Sequence, residues 1–381
     1  MIQKLAYVHY PHGPKSSRLA TMPFSLNTVV ALGKAGWLVD LYLWEKPSPE
    51  YGRLLPENVK VHHLIDSPLT RANFLAKAWL EFSFRQKKDY ACVFALGQIG
   101  SYIGGLIAES SQCPFVYLND EFPSHWADPT WGTLEQQAVA QANLIIVPDA
   151  QRAAPLYQEL GLPLTQPYAI LPNISMVDSL DSSINWHDRL QLPSDAKPFL
   201  YAGTVSSEMQ VDQLIASVPQ WVEPAVLIVN GRSERDTNAF RQQYPDRLDR
   251  NRVIWNHQPL AIELLNSLVA YCEGNFALYQ NTGSNIEYVG FSSGKLMRSL
   301  ACGCPVIATR LSSLAFVEEY QLGVLIHDAS DIPAAVNKLT VNREEYRRRC
   351  LDFCKNHASF EHHWQIFCHK FKAITNIDLA R

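Results

Sequence analysis

The chain has no apolar run of the roughly 20 residues that a helix needs to cross a bilayer, no low-complexity tract and no internal repeat. Surplus charge is missing too. Its 33 Lys and Arg stand against 37 Asp and Glu, and a net charge of −4 gives nucleic acid no electrostatic footprint. The opening MIQKLAYVHY lacks the apolar stretch and cleavage site of a secretory leader and reads as a first strand, so the expectation is a cytoplasmic protein. There is no Gly-x-Gly-x-x-Gly after a first strand. Gly97, Gly100, Gly104 and Gly105 follow a later one at the wrong spacing, which argues against a dinucleotide cofactor. No Asp-x-Asp occurs in a loop, so no metal site is expected. The eight cysteines lack a tight Cys-x-x-Cys knuckle. Cys350, Cys354 and His357 share a helical face, but that region otherwise reads as ordinary amphipathic helix.

What remains is an ordinary soluble composition, 47% apolar and 18% charged. A chain of 381 residues exceeds one typical core, so two domains are the default. Short apolar strands are expected at 5–9, 38–43, 92–96, 115–118 and 144–147, with helices near 19–34, 71–88, 100–110 and 133–142. Residues 172–193, rich in Ser, Asp, Asn and Pro, read as a linker. The rhythm then restarts, with strands at 199–201, 226–229, 253–255, 276–278, 306–308 and 324–326. Strands alternating with helices predict parallel sheets with ligands at the carboxyl ends of the strands.

The most informative segment is SSGKLMRSLACGCPVIA, residues 292–308. Ser292, Ser293 and Gly294 make a small polar turn, and 295–301 read as a short helix with Leu296 and Leu300 at i, i+4 spacing. Gly303 and Pro305 stop it, and 306–308 read as a buried strand. A turn of small residues opening a helix presents unpaired N–H groups at the positive end of the helix dipole. Lys295 adds a full charge, which makes the turn a candidate phosphate site. A plain Ser-capped helix with a surface lysine is the competing reading.

This segment resembles the C-terminal signature of the GT-B glycosyltransferases, in particular the retaining enzymes of glycosyltransferase family 4. PFLYAG at 198–203 is similar to the strand and glycine turn that open that family's nucleotide-sugar domain. RVIW at 252–255 resembles its strand beside the base, and Leu171-Pro172-Asn173 the close of its first domain. Gly323-Val324-Leu325 and residues 360–364 match its tail. The motifs span most of 140–370. The resemblance implies an α/β, GT-B architecture: two Rossmann-like, doubly wound domains facing across a cleft, with a C-terminal helix crossing back to the first domain. The expected division is an acceptor-side domain at 1–175, a nucleotide-sugar domain at 176–358 and the returning helix at 359–381.

The implied reaction moves a hexose-type sugar from a nucleoside-diphosphate sugar, UDP or GDP, to an acceptor hydroxyl on a glycan or glycolipid. It is expected to be retaining and metal-independent, with no cofactor. Gly203, Ser292, Ser293, Gly294 and Lys295 would face the diphosphate. Lys295 carries the charge that stabilises the departing group. The chain departs from the family at Thr204 and Met209, where an arginine and a lysine are usual. A usual pair of glutamates is replaced by Gly290 and Arg298. Arg298 either binds phosphate or faces solvent. Glu287 either reaches the donor sugar or sits on the surface. Asn285 belongs to a polar loop suited to sugar hydroxyls. On the acceptor side the resemblance implicates Gly13, Asn119, Asp120 and Glu121. Asn119 replaces a histidine, so a histidine base is absent there, and Asp120 or Glu121 would orient the acceptor.

Those losses motivate a second reading, a catalytically inactive GT-B domain acting as a binding or regulatory partner. A third is a sugar-nucleotide epimerase. Residues 71–88 mix Arg71, Lys77, Arg85, Lys87 and Lys88 with Phe74, Leu75, Trp79, Phe82 and Phe84. Such a helix either lies on an anionic membrane, as transferases of lipid-linked acceptors do, or packs as an ordinary half-buried helix.

Overall fold

The computed structural model describes residues 3–10, 19, 22–43, 51–63, 71–85, 89–119, 121–123, 129–175, 177, 180, 183–243, 252–256, 258 and 260–380. They form two compact units, Met1–Asn173 with Phe360–Arg381, and Ile174–Ser359.

The first unit is built on seven parallel strands: β1 (Lys4–His9), β2 (Leu38–Leu43), β3 (Val59–His63), β4 (Val93–Leu96), β5 (Phe115–Leu118), β6 (Leu144–Val147) and β7 (Tyr168–Ile170). Their order is β3-β2-β1-β4-β5-β6-β7. Central strands such as FVYL and LIIV are buried at every residue, because helices cover both faces of a parallel sheet. β3 and β7 are absent from the sequence expectation. Both are edge strands. VKVHH exposes Lys60 and reads as half polar, and YAI is too short to register. The first long helix starts at Pro23, later than residue 19, because proline suits a helix's first turn.

The expected helix over 71–88 is α-helical only through Arg71–Trp79 and continues as a π-helix through Leu80–Arg85. The change of pitch turns Phe82 into the core against Tyr42, ring centroids 5.5 Å apart, and leaves Trp79 and Leu80 exposed. Residues 86–88 lie outside the described residues. The last helix, Phe360–Thr375, buries Phe360, Trp364, Phe367 and Phe371 within this unit, where Phe367 and Phe371 reach the ring of Phe94.

The second unit holds β8 (Lys197–Gly203), β9 (Ala225–Gly231), β10 (Val253–Asn256), β11 (Gly274–Ala277), β12 (Val306–Thr309) and β13 (Gly323–Ile326), in the order β10-β9-β8-β11-β12-β13. Strand order reverses between β8 and β11, which opens a crevice at their carboxyl ends. Phe199, Trp221 and Phe276 pack together beneath that point, edge-on and tilted.

Candidate active site

The helix Gly294–Ala301 begins at the carboxyl rim of the second sheet. Ser293 is its N-cap, and its Oγ accepts the Leu296 amide at 3.2 Å. Tyr279, two residues past β11, has its hydroxyl bonded to the same Ser293 oxygen. The Tyr279 amide donates to Thr309 Oγ1 at 2.9 Å, which pins the segment to the end of β12. Ser292 Oγ donates to the Val289 carbonyl at 2.5 Å. Leu296, Met297 and Leu300 are fully buried and anchor the helix. The Gly294 and Lys295 amides have no partner among the described residues, so the helix opens on two unused donors.

Lys295 is half-buried, and its Nζ lies 5.1 Å from the ring centre of Tyr201 and 4.6 Å from that of Tyr279. Burial, with the charge of Arg232 added, pushes its pKa down to about 7. Arg298 lies one turn along, and its Nε donates to Ser175 Oγ at 3.3 Å. Burial lowers it to about 10, with Arg232 again contributing. Among the described residues no carboxylate forms an ion pair with Lys295, Arg298 or Arg232. Burial raises the phenols of Tyr201 and Tyr279 far above their usual range, so both rings stay neutral.

Gly203 ends β8 with φ +155°, a conformation that glycine tolerates. The Thr204 carbonyl accepts the Tyr201 hydroxyl at 2.6 Å, while the Thr204 side chain is exposed. Gln210 Nε2 donates to the Tyr279 carbonyl at 3.0 Å and ties the loop after Gly203 to the segment after β11. The structure therefore brings Gly203, Thr204, Ser292, Ser293, Gly294, Lys295 and Arg298 to one rim. Asn285 is half-buried in the turn Ser284–Glu287, and Glu287 closes that turn with its side chain exposed. Arg232 was missed by sequence reasoning. The only available signal was a basic residue directly after a strand-ending glycine.

In the first unit Asn119 is fully buried. Its Nδ2 donates to the Tyr117 hydroxyl at 3.1 Å and to the Glu121 carbonyl at 2.8 Å, and its Oδ1 accepts Arg152 Nε at 2.9 Å. Arg152 is fully buried over the Phe122 ring, 4.4 Å from its centre. Asn119 thus holds a buried arginine in place. Glu121 is half-buried beside it. Gly13 and Asp120 lie outside the described residues. Cys350 Sγ faces the Leu322 carbonyl, and His357 stacks on Phe353. Among the described residues no three His, Cys, Asp or Glu are grouped to hold a metal.

Two parallel-sheet α/β units of seven and six strands, with the last helix belonging to the first, define the architecture. The fold is GT-B. A structure of Anabaena Alr3699/HepE in complex with UDP-glucose is similar over 97% of this chain and 99% of that one, with a TM-score of 0.71 and 13% identity. Sucrose-phosphate synthase from Thermosynechococcus elongatus matches over 97% and 100%, at a TM-score of 0.69 and 17% identity. A glycosyltransferase from Rickettsia africae matches over 98% of each chain, at 0.72 and 10%. No protein-family profile and no curated protein matches the sequence.

Proposed function

We propose that the protein is a glycosyltransferase that moves a hexose-type sugar from UDP or GDP to an acceptor hydroxyl on a glycan or glycolipid. The observation that carries this reading is a helix that opens on two unbonded amides, Gly294 and Lys295, carries Lys295 and Arg298, and has Arg232 near enough for its charge to act on both, with no carboxylate paired to these cations among the described residues. Cations held together in a partly dry site repel one another and are settled by an anion. A diphosphate fits that need, and its negative charge grows as the sugar bond breaks. Groups aimed in advance at that charge bind the transition state more tightly than the ground state. That HepE was solved with UDP-glucose on the same fold supports a nucleotide-sugar donor.

The reaction proceeds with retention and without a metal or cofactor: the leaving phosphate takes the acceptor's proton on the same face of the sugar. Glu287 and Asn285 bond the donor sugar from their loop, with Thr204 beside the phosphates. Asp120 and Glu121 orient the acceptor hydroxyl, and Gly13 lets the first loop approach the donor. The exposed Trp79 and Leu80, next to Lys77, suit peripheral contact with the cytoplasmic face of a membrane and hence a lipid-linked acceptor.

Thermal shifts with UDP, GDP, ADP and their sugar conjugates test the donor site. A ligand at 100-fold its Kd adds about 2.7 kcal/mol. One nucleotide is expected to stabilise the protein clearly, and Lys295→Ala to lose most of that shift. Silence from every nucleotide would sink the reading and favour a domain that no longer catalyses.

A further inference from the structure

We infer that Arg232, one residue beyond β9, binds the donor diphosphate directly and supplies the charge that neither Thr204 nor Met209 carries in the loop after β8. The inference rests on the nucleotide-sugar reading of the site.

The placement follows from the sheet. β8 and β9 run in parallel register to their ends, with Gly203 opposite Gly231. The Arg232 amide then donates to the Gly203 carbonyl at 3.1 Å, so Arg232 leaves the sheet at the same rim as the glycine expected to face phosphate. The turn is tightly built. A Cβ on Gly231 would fall 1.8 Å from Thr237 Oγ1, and that hydroxyl donates to the Ser233 carbonyl at 2.7 Å. Only glycine lets the helix Glu234–Gln243 sit so close, and the close seat fixes where Arg232 starts.

The side chain is exposed, and its charge reaches inward. Lys295 and Arg298 on the site helix, Tyr201 on β8 and Tyr279 after β11 all feel it. β9 lies next to β8 in the sheet, and the Arg232 amide bonds to the Gly203 carbonyl, so this cation starts at the rim that borders the crevice. The nearest acids in sequence, Glu234 and Asp236, form no ion pair with it among the described residues. By itself the arrangement is unfavourable, because a third cation is brought toward two others. A diphosphate reverses the sign of every one of these interactions. A guanidinium also grips two phosphate oxygens at once, which an ammonium does not.

Calorimetric titration of the full chain with UDP, GDP, ADP and the matching nucleosides between pH 7 and 9 tests the idea, using wild type, Arg232→Gln, Arg232→Lys and Lys295→Ala. Arg232→Gln is expected to weaken diphosphate binding at least ~10-fold and leave nucleoside binding within ~2-fold, with partial recovery in Arg232→Lys. A second readout separates charge from mere shape. The charge acting on Lys295 is that of Arg232, and its ring neighbours Tyr201 and Tyr279 are neutral. Losing Arg232 therefore raises the Lys295 pKa, and the alkaline fall in diphosphate binding moves to higher pH. Binding within ~2-fold of wild type in Arg232→Gln, alongside a weakened Lys295→Ala, overturns the inference and leaves the donor site standing. So does a loss of affinity with an unmoved pH profile. If no protein binds any nucleotide, the donor reading falls, and this inference with it.

Discussion

Lys295 is placed where a lysine is costly. Its pKa of about 7 against an ordinary 10.5 means that folding disfavours its proton. Between those two values the unfolded chain binds more protons at this position, so stability rises with pH across that window. Below about pH 7 the full cost is present in the absence of a ligand. Water reaches part of the side chain and screens that cost, so Lys295→Met is expected to be more stable than wild type by about 1–3 kcal/mol at pH 6, with the gap closing toward pH 10. Urea unfolding of both proteins at the two pH values checks this. A variant less stable than wild type at pH 6 would show that the tyrosine rings more than offset the desolvation. Lys295 was visible in the sequence because its signal is local: Ser, Ser, Gly, Lys at the start of an apolar helix. Arg232 was not, since it lies 63 positions before Lys295 (295 − 232) and only the pairing of β8 with β9 brings it there. Asn119 was legible as a missing histidine but not as the partner of Arg152, whose burial no local pattern announces.

At the scale of elements, the helix Gly97–Ser111 shows what a run of glycines does for packing. Its glycines were rejected as a dinucleotide loop, and the structure shows what they do. Gly97 opens the helix at φ +72°, and Gly100 lies against the carbonyls of Val8 and Tyr10. A Cβ on Gly104 would fall 2.5 Å from the Ala95 Cβ, an atom with no rotamer to escape into. At Gly105 the nearest contact is an ordinary 3.4 Å. Gly104→Ala is therefore expected to destabilise the protein by about 1–3 kcal/mol through overpacking. Gly105→Ala should be neutral or gain up to about 1 kcal/mol from helix propensity. Chemical denaturation midpoints of the pair decide it, and equal effects would remove the packing account. The same scale explains the missed strands. The interior strands are continuous apolar runs and announce themselves, whereas β3 and β7 lie at edges, where burial on fewer sides leaves room for Lys60 or for three residues only.

For the whole molecule, strand–helix alternation restarting after a polar stretch made a two-sheet protein legible. The return of the last helix to the first domain was expected from the family resemblance, not from the spacing of its residues. Phe360, Trp364, Phe367 and Phe371 follow helical spacing, which says that one face is buried but not against what. The structure places that face in the first unit, so the chain is not divisible by a single cut. Ending it at Ser359 strips the rings that cover Phe94, and a core aromatic lost in this way costs about 3–5 kcal/mol. The second unit stands differently. It has its own six-stranded sheet and its own core around Phe199, Trp221 and Phe276. Gly203, Arg232, Ser293, Lys295 and Arg298 all lie inside it. A fragment spanning Ile174–Ser359 is therefore expected to unfold in a single transition and to bind the favoured nucleoside diphosphate within ~10-fold of the full chain. The complementary chain, residues 1–359, should retain that binding while its first unit melts at a markedly lower temperature. Scanning calorimetry with and without the nucleotide reads both outcomes. A folded second-unit fragment that binds no nucleotide, set against a full chain that does, would move part of the diphosphate's grip to the first unit.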